Sequence, residues 1–101
     1  MDRRLELHEV LSGIQGVKKA YFQPPETVKL EYPCIIYNLQ NVDMLPANDY
    51  PYKNRDGYHV TIIDKNPDSQ IRRVLESMML CRFDRFYAVD GLNHWSYVLY
   101  Y

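Results

Sequence analysis

Apolar residues recur along this chain with two different periods. In LELHEVLSGI, Leu7, Val10, Leu11 and Ile14 fall at i, i+3, i+4 and i+7, the stripe of an amphipathic helix. Arg3, Arg4, Glu6 and Glu9 lie largely off that stripe, and Gly13 and Gly16 stand where such a helix ends. VKKAYFQPPE then reads as a short strand, stopped at Pro24-Pro25 because proline has no N–H to give a sheet ladder. In YPCIIYNLQNV the run Cys34, Ile35, Ile36, Tyr37 predicts a strand covered on both faces for part of its length and placed centrally in a sheet. GYHVTIID alternates Tyr58, Val60 and Ile62 with His59, Thr61 and Ile63, the two-residue period of a further strand.

A second helical stripe follows, with Ile71, Val74, Leu75 and Met78 on one side and Arg72, Arg73 and Glu76 on the other. Asn66 is placed to cap it, with Pro67 at the first helical position and Asp68 in the positive first turn. LCRFDRFYAV and HWSYVLYY read as two strands joined through DGLN, with Asp90-Gly91 as the hairpin signal. In the last strand Trp95, Tyr97, Leu99 and Tyr101 form one face, expected under the helices. His94, Ser96, Val98 and Tyr100 form the other, expected to remain available. Two helices with one apolar face each need a sheet to cover. The predicted fold is therefore α+β: a two-layer sandwich in a single domain over residues 1–101, with a mostly antiparallel sheet of about five strands and both helices packed on one face.

Between the second and third strands lies a stretch rich in turn formers, residues 43–57, ending PANDYPYKNRDG. Long loops inside compact domains tend to be functional, and tyrosine, arginine and asparagine are favoured contact residues. Asn48, Asp49, Tyr50, Tyr52 and Arg55 are accordingly candidate partner or subunit contacts.

Composition narrows the functional classes. The chain has 101 residues, 47% of them hydrophobic and 25% charged, the balance of an ordinary globular domain. The formal charge of −1 supplies no field that would hold the chain on nucleic acid or an anionic membrane. Cys34 and Cys81 stand in no metal-ligand or CxxC spacing and read as reduced core thiols. The N-terminal MDRRLELHEVLSGI lacks the apolar stretch of a signal peptide, so a reducing cytosol is the expected setting. His8, His59, His94, Asp64 and Asp90 stand at no ligand or catalytic spacing, and no Gly-rich phosphate loop or nucleophile elbow occurs. No catalytic residue, cofactor or metal is expected. Arg82, Phe83, Arg85 and Phe86 leave a single-stranded nucleic-acid reader as the alternative from another class, against core or subunit contact for the two phenylalanines.

Three phrases carry a family likeness. YPCIIYNL, VTIIDKNPDSQI and CRFDRFYAVDGLNHWSYVLYY, in that order from Tyr32 to Tyr101, resemble the tail terminator, or tail completion, proteins of long-tailed bacteriophages and prophages; Gly91 and Trp95 depart from the family pattern. The resemblance implies a virion structural subunit, not an enzyme, that assembles in the host cytoplasm into a homohexameric ring at the head-proximal end of the tail tube. Its implied partners are further copies of itself, the tail tube protein and the head completion or connector protein. DNA would only pass through the lumen, and no membrane is involved. Another tail ring subunit or a head-side connector is the nearest alternative. In related proteins an extended loop contributes to stacking on the tube, which by position points to PANDYPYKNRDG.

Overall fold

The computed structural model describes residues 3–41 and 56–101. The elements run α1 (Arg3–Ser12), β1 (Lys19–Phe22), β2 (Cys34–Asn41), β3 (Gly57–Asp64), α2 (Ile71–Met78), β4 (Leu80–Val89) and β5 (Leu92–Tyr100). Among the described residues the five strands form one sheet in the order β1-β2-β3-β5-β4. Every pairing is antiparallel except β1 with β2, so the sheet is mixed. The fold is the expected compact α+β domain with two helices.

Both helices share one core. Leu7 and Leu11 of α1, with Ile14 just beyond it, and Ile71 and Leu75 of α2 pack with Ala20, Ile35, Tyr37, Tyr58, Val60, Ile62, Trp95, Tyr97 and Leu99 from one sheet face. The stripes read from the sequence are narrower in fact, since Val10 and Val74 are only half-buried and Met78 is exposed. A smaller cluster of Tyr21, Cys34 and Ile63 lies on the other face, where Val28, Leu30 and Tyr32 of the β1–β2 connection pack against it. That is why Cys34 and Ile35, adjacent on one strand, are both fully buried. β2 is an interior strand as its apolar run requires, but the middle position belongs to β3, because β1 adds only one short strand beyond β2.

α2 begins later than its start signals indicate. The Asn66 side chain does accept an N–H, that of Asp68 at 2.9 Å, while Asp64 Oδ1 accepts the Asn66 N–H at 3.0 Å. These close successive Asx turns that compete with helix, so Asn66-Pro67-Asp68 forms the joint leading out of β3. The helix starts at Ile71 behind Gln70, whose side chain caps nothing, and Ser69 Oγ accepts the Ile71 N–H at 3.3 Å. The β4–β5 connection is shorter than DGLN. Asp90 and Gly91 alone, with φ of 54° and 76°, make a two-residue turn of the twist that suits a hairpin, and β5 resumes at Leu92.

The C-terminal residues are pinned rather than loose. Tyr101 and Asp56 exchange two backbone hydrogen bonds, at 3.1 and 3.2 Å, extending the β3–β5 ladder to the last residue.

Candidate functional site

β5 does not expose the face expected of it. Ser96, Val98 and Tyr100 are buried, as are Trp95, Tyr97 and Leu99 on the helix side. The uncovered surface is one strand further out, on β4. From Arg82 to Val89 every residue of this edge strand is exposed, including Phe83 at 53% and Phe86 at 50%. The cause is geometric. On the helix side, a helix about 10 Å wide covers about two strands spaced some 4.8 Å apart, so two helices roof about four strands and leave a fifth open.

A local irregularity turns that open strand into an aromatic row. Phe83 and Phe86 are three residues apart, which on a regular strand puts them on opposite faces. The β4–β5 register shifts between Phe83 and Arg85, so Phe83 pairs with Tyr97 and Phe86 with Trp95, both on the helix side. Phe83 meets the Tyr97 ring edge-on with centroids 5.6 Å apart, and Phe86 lies 5.5 Å from Trp95. Each exposed ring is thus seated on a buried one, which limits the side-chain freedom it loses on contact with a partner. Tyr97 is fixed in turn by its hydroxyl, which donates to Glu76 Oε2 on α2, and Arg72 Nη1 holds the same oxygen at 3.5 Å. Burial first, and the Glu76 carboxylate after it, push the Tyr97 hydroxyl well above its ordinary pKa.

The bulged Asp84 is tied down on the far side, with Oδ2 3.7 Å from His59 Nε2 and 3.7 Å from Arg85 Nε. Arg82 and Arg85 pair with Val98 and Ser96 and so occupy the face opposite the phenylalanines. Tyr87 stacks on His94 there, with centroids 4.5 Å apart and planes 12° from parallel. Phe83 and Phe86 are therefore not core residues.

The other sequence candidates lie elsewhere. Asn48, Asp49, Tyr50, Tyr52 and Arg55 fall outside the described residues. The histidines do not converge: His8 Nδ1 bonds the Tyr37 hydroxyl at 2.6 Å beneath α1, His59 faces Asp84, and His94 lies under Tyr87. Asp64 serves the β3–α2 joint, where Asn93 Nδ2 also donates to the Asp64 and Lys65 carbonyls at 3.1 and 3.2 Å. Among the described residues no three His, Cys, Asp or Glu side chains are grouped to hold a metal ion, and no helix is long and apolar enough to cross a membrane. Both thiols are free: Cys34 is fully buried and its pKa is raised by burial to about 11, while Cys81 is half-buried. An open cleft of about 300 Å³ between Pro24, Pro25, Val28, Leu30, Ile36 and Asn38 contains one carboxylate, Glu26.

Neither a family model, nor a curated protein, nor a solved structure matches this chain.

Sequence reasoning singled out Phe83 and Phe86, as a nucleic-acid surface or as core or subunit contact, but did not show that the two rings share one face. The signal for that was present in the three-residue spacing of Phe83 and Phe86 around a charged residue, which within a strand points to a bulge.

Proposed function

We propose that this chain is a structural subunit of a long-tailed phage particle, closing as a hexameric ring on the head-proximal end of the tail tube. The ring stops further polymerisation and offers the surface to which the head attaches. The observation that carries this reading is the uncovered aromatic row of β4, Phe83 and Phe86 seated on Tyr97 and Trp95. Contiguous exposed apolar surface on a small domain marks an interaction site, and aromatic side chains dominate the energetics of such sites. A ring needs two different, complementary patches per subunit, because only a heterologous contact with the right rotation closes. An aromatic row on one edge of the sheet is suited to be one of them.

The likeness to tail terminators is compatible with this role. The three phrases that carry it meet at one end of the sheet, where Cys34 pairs with Ile63 and Asp64 with Asn93. They supply strand pairing and the joint to α2 rather than reacting groups, as suits a protein whose work is to fit against neighbours. The formal charge of −1 gives the chain no overall attraction for phosphates, which accords with DNA only passing through.

Exposure of Phe83 and Phe86 is also what a single-stranded nucleic-acid reader requires, but Arg82 and Arg85 lie on the opposite face from the rings and so cannot neutralise the backbone of a strand stacked on them. Deleting the gene from an induced lysogen or infecting phage tests the ring reading. Unattached filled heads beside overlong, ragged tails are the expected result, and normal virions would refute it.

A further inference from the structure

Among the described residues no strand pairs with the outer edge of β4, and that edge is self-complementary. Its ten residues, Leu80–Val89, read LCRFDRFYAV, and a second copy laid antiparallel along the whole strand sets each residue against a suitable partner. Leu80 meets Val89 of the other copy, Cys81 meets Ala88, Arg82 meets Tyr87, Phe83 meets Phe86, and Asp84 meets Arg85. Apolar faces apolar, small faces small, a guanidinium faces a ring, ring faces ring and acid faces base; by symmetry each pair occurs twice. Such cross-strand pairs are the unit of sheet stabilisation.

The bulge is what makes the register consistent. Side chains before Asp84 and after it alternate in opposite phase, because the register against β5 shifts there. Two antiparallel copies match face to face only when they are centred so that one copy's first half lies against the other's second half, and the full-length register is of that kind. Phe83 and its opposite Phe86 then share the helix side, and Arg82 and its opposite Tyr87 share the other. Sliding the copies by two residues one way sets Arg82 against Arg85 and Phe83 against Asp84, trading attraction for like-charge repulsion and a carboxylate against a ring; sliding them the other way sets Arg85 against Phe86, which face opposite sides, and leaves Asp84 without Arg85. Charges and bulges ordinarily blunt a sheet edge against foreign strands. Here Asp84 and Arg85 exclude most other partners and are satisfied by this strand itself.

We infer that the free chain pairs with a second copy through antiparallel β4–β4 contact, centred between Asp84 and Arg85, to form a two-fold dimer with one continuous ten-stranded sheet. The pairing leaves the helix-side row open and joins two such rows into one. It is a state of the chain before assembly, since a two-fold contact between neighbours does not occur in a six-fold ring of equivalent subunits and must part as the ring forms. It does not rest on the ring reading.

Site-specific cross-linking of the whole chain tests it. In Ala88→Cys protein, a short bifunctional maleimide is expected to join position 88 of one copy to Cys81 of the other and give a covalent dimer. The same substitution made together with Cys81→Ser is expected to give none, because the two positions 88 lie at opposite ends of the paired strands. Arg85→Asp, which opposes two carboxylates at both central pairs, is expected to slow cross-linking about tenfold or more, and Asp84→Arg combined with Arg85→Asp to restore it. Both positions are exposed on the edge strand, and circular dichroism checks that each variant is folded. Absence of cross-linking in folded Ala88→Cys protein would overturn the pairing, as would equal yields with and without Cys81, or failure of the charge swap to restore it.

Discussion

Tyr97→Ala is expected to destabilise the domain by about 3–5 kcal/mol, the usual cost of removing a large buried aromatic. A domain of this size is held by roughly 5–15 kcal/mol in total, so this one substitution removes a large part of its stability. Tyr97 is fully buried, supports Phe83 from beneath, and bonds Glu76 on α2, so its loss leaves a cavity and releases both neighbours. Tyr97→Phe keeps the ring and loses only the hydroxyl bond, about 1 kcal/mol, because Glu76 is partly exposed and retains Arg72. Urea unfolding with the m-value unchanged reads both numbers; equal losses for the two variants would show that the ring does not fill the space assigned to it. The phenol also sets a pH dependence. Its pKa is raised above the ordinary 10.0 in the folded chain, so the stabilisation is fully present below pH 10 and falls as pH climbs toward the folded value. Tyr97→Phe is expected to flatten that alkaline decline.

Phe83→Ser with Phe86→Ser separates interaction from stability. Both rings are half-exposed, so the double substitution is expected to cost only about 1–2 kcal/mol of folding free energy. Central aromatic contacts contribute about 2 kcal/mol or more each when a partner buries them, so on the proposed reading ring closure, and with it retention on tail tubes, is expected to fall about a hundredfold or more. Co-sedimentation with purified tubes measures the loss. Unchanged tube binding by the folded double variant would remove β4 from the assembly surface.

Much of this architecture was legible in the order of apolar residues. The stripe Leu7, Leu11, Ile14 and the alternation Tyr58, Val60, Ile62 each appear in the core because local periodicity and burial obey the same geometry. The start of α2 was not legible. Asn66, Pro67 and Asp68 carry every local sign of a helix N-terminus, and only the carboxylate of Asp64, two residues earlier, shows that the side chains close turns instead. The parallel β1–β2 pairing was hidden too, since it depends on where residues 23–33 cross the sheet and not on either strand's own pattern.

For the candidate site, alternation along β5 identified two faces but could not tell that the face away from the helices is buried as well, nor how far the helical roof extends on the other. Ser96, Val98 and Tyr100 turned out buried, and exposure passed to Phe83 and Phe86. The number of strands set against the number of helices held that information: five strands under two helices leave an edge bare.

Ring closure at the tube end is tested most directly by electron microscopy of tail tubes grown from tube protein in the presence of this chain. The account predicts tubes of limited length, each ending in a six-fold ring of added density at one end only, with the rings absent when Phe83 and Phe86 are both serine. Tubes that grow to the same lengths with and without the chain, with bare ends, would contradict it.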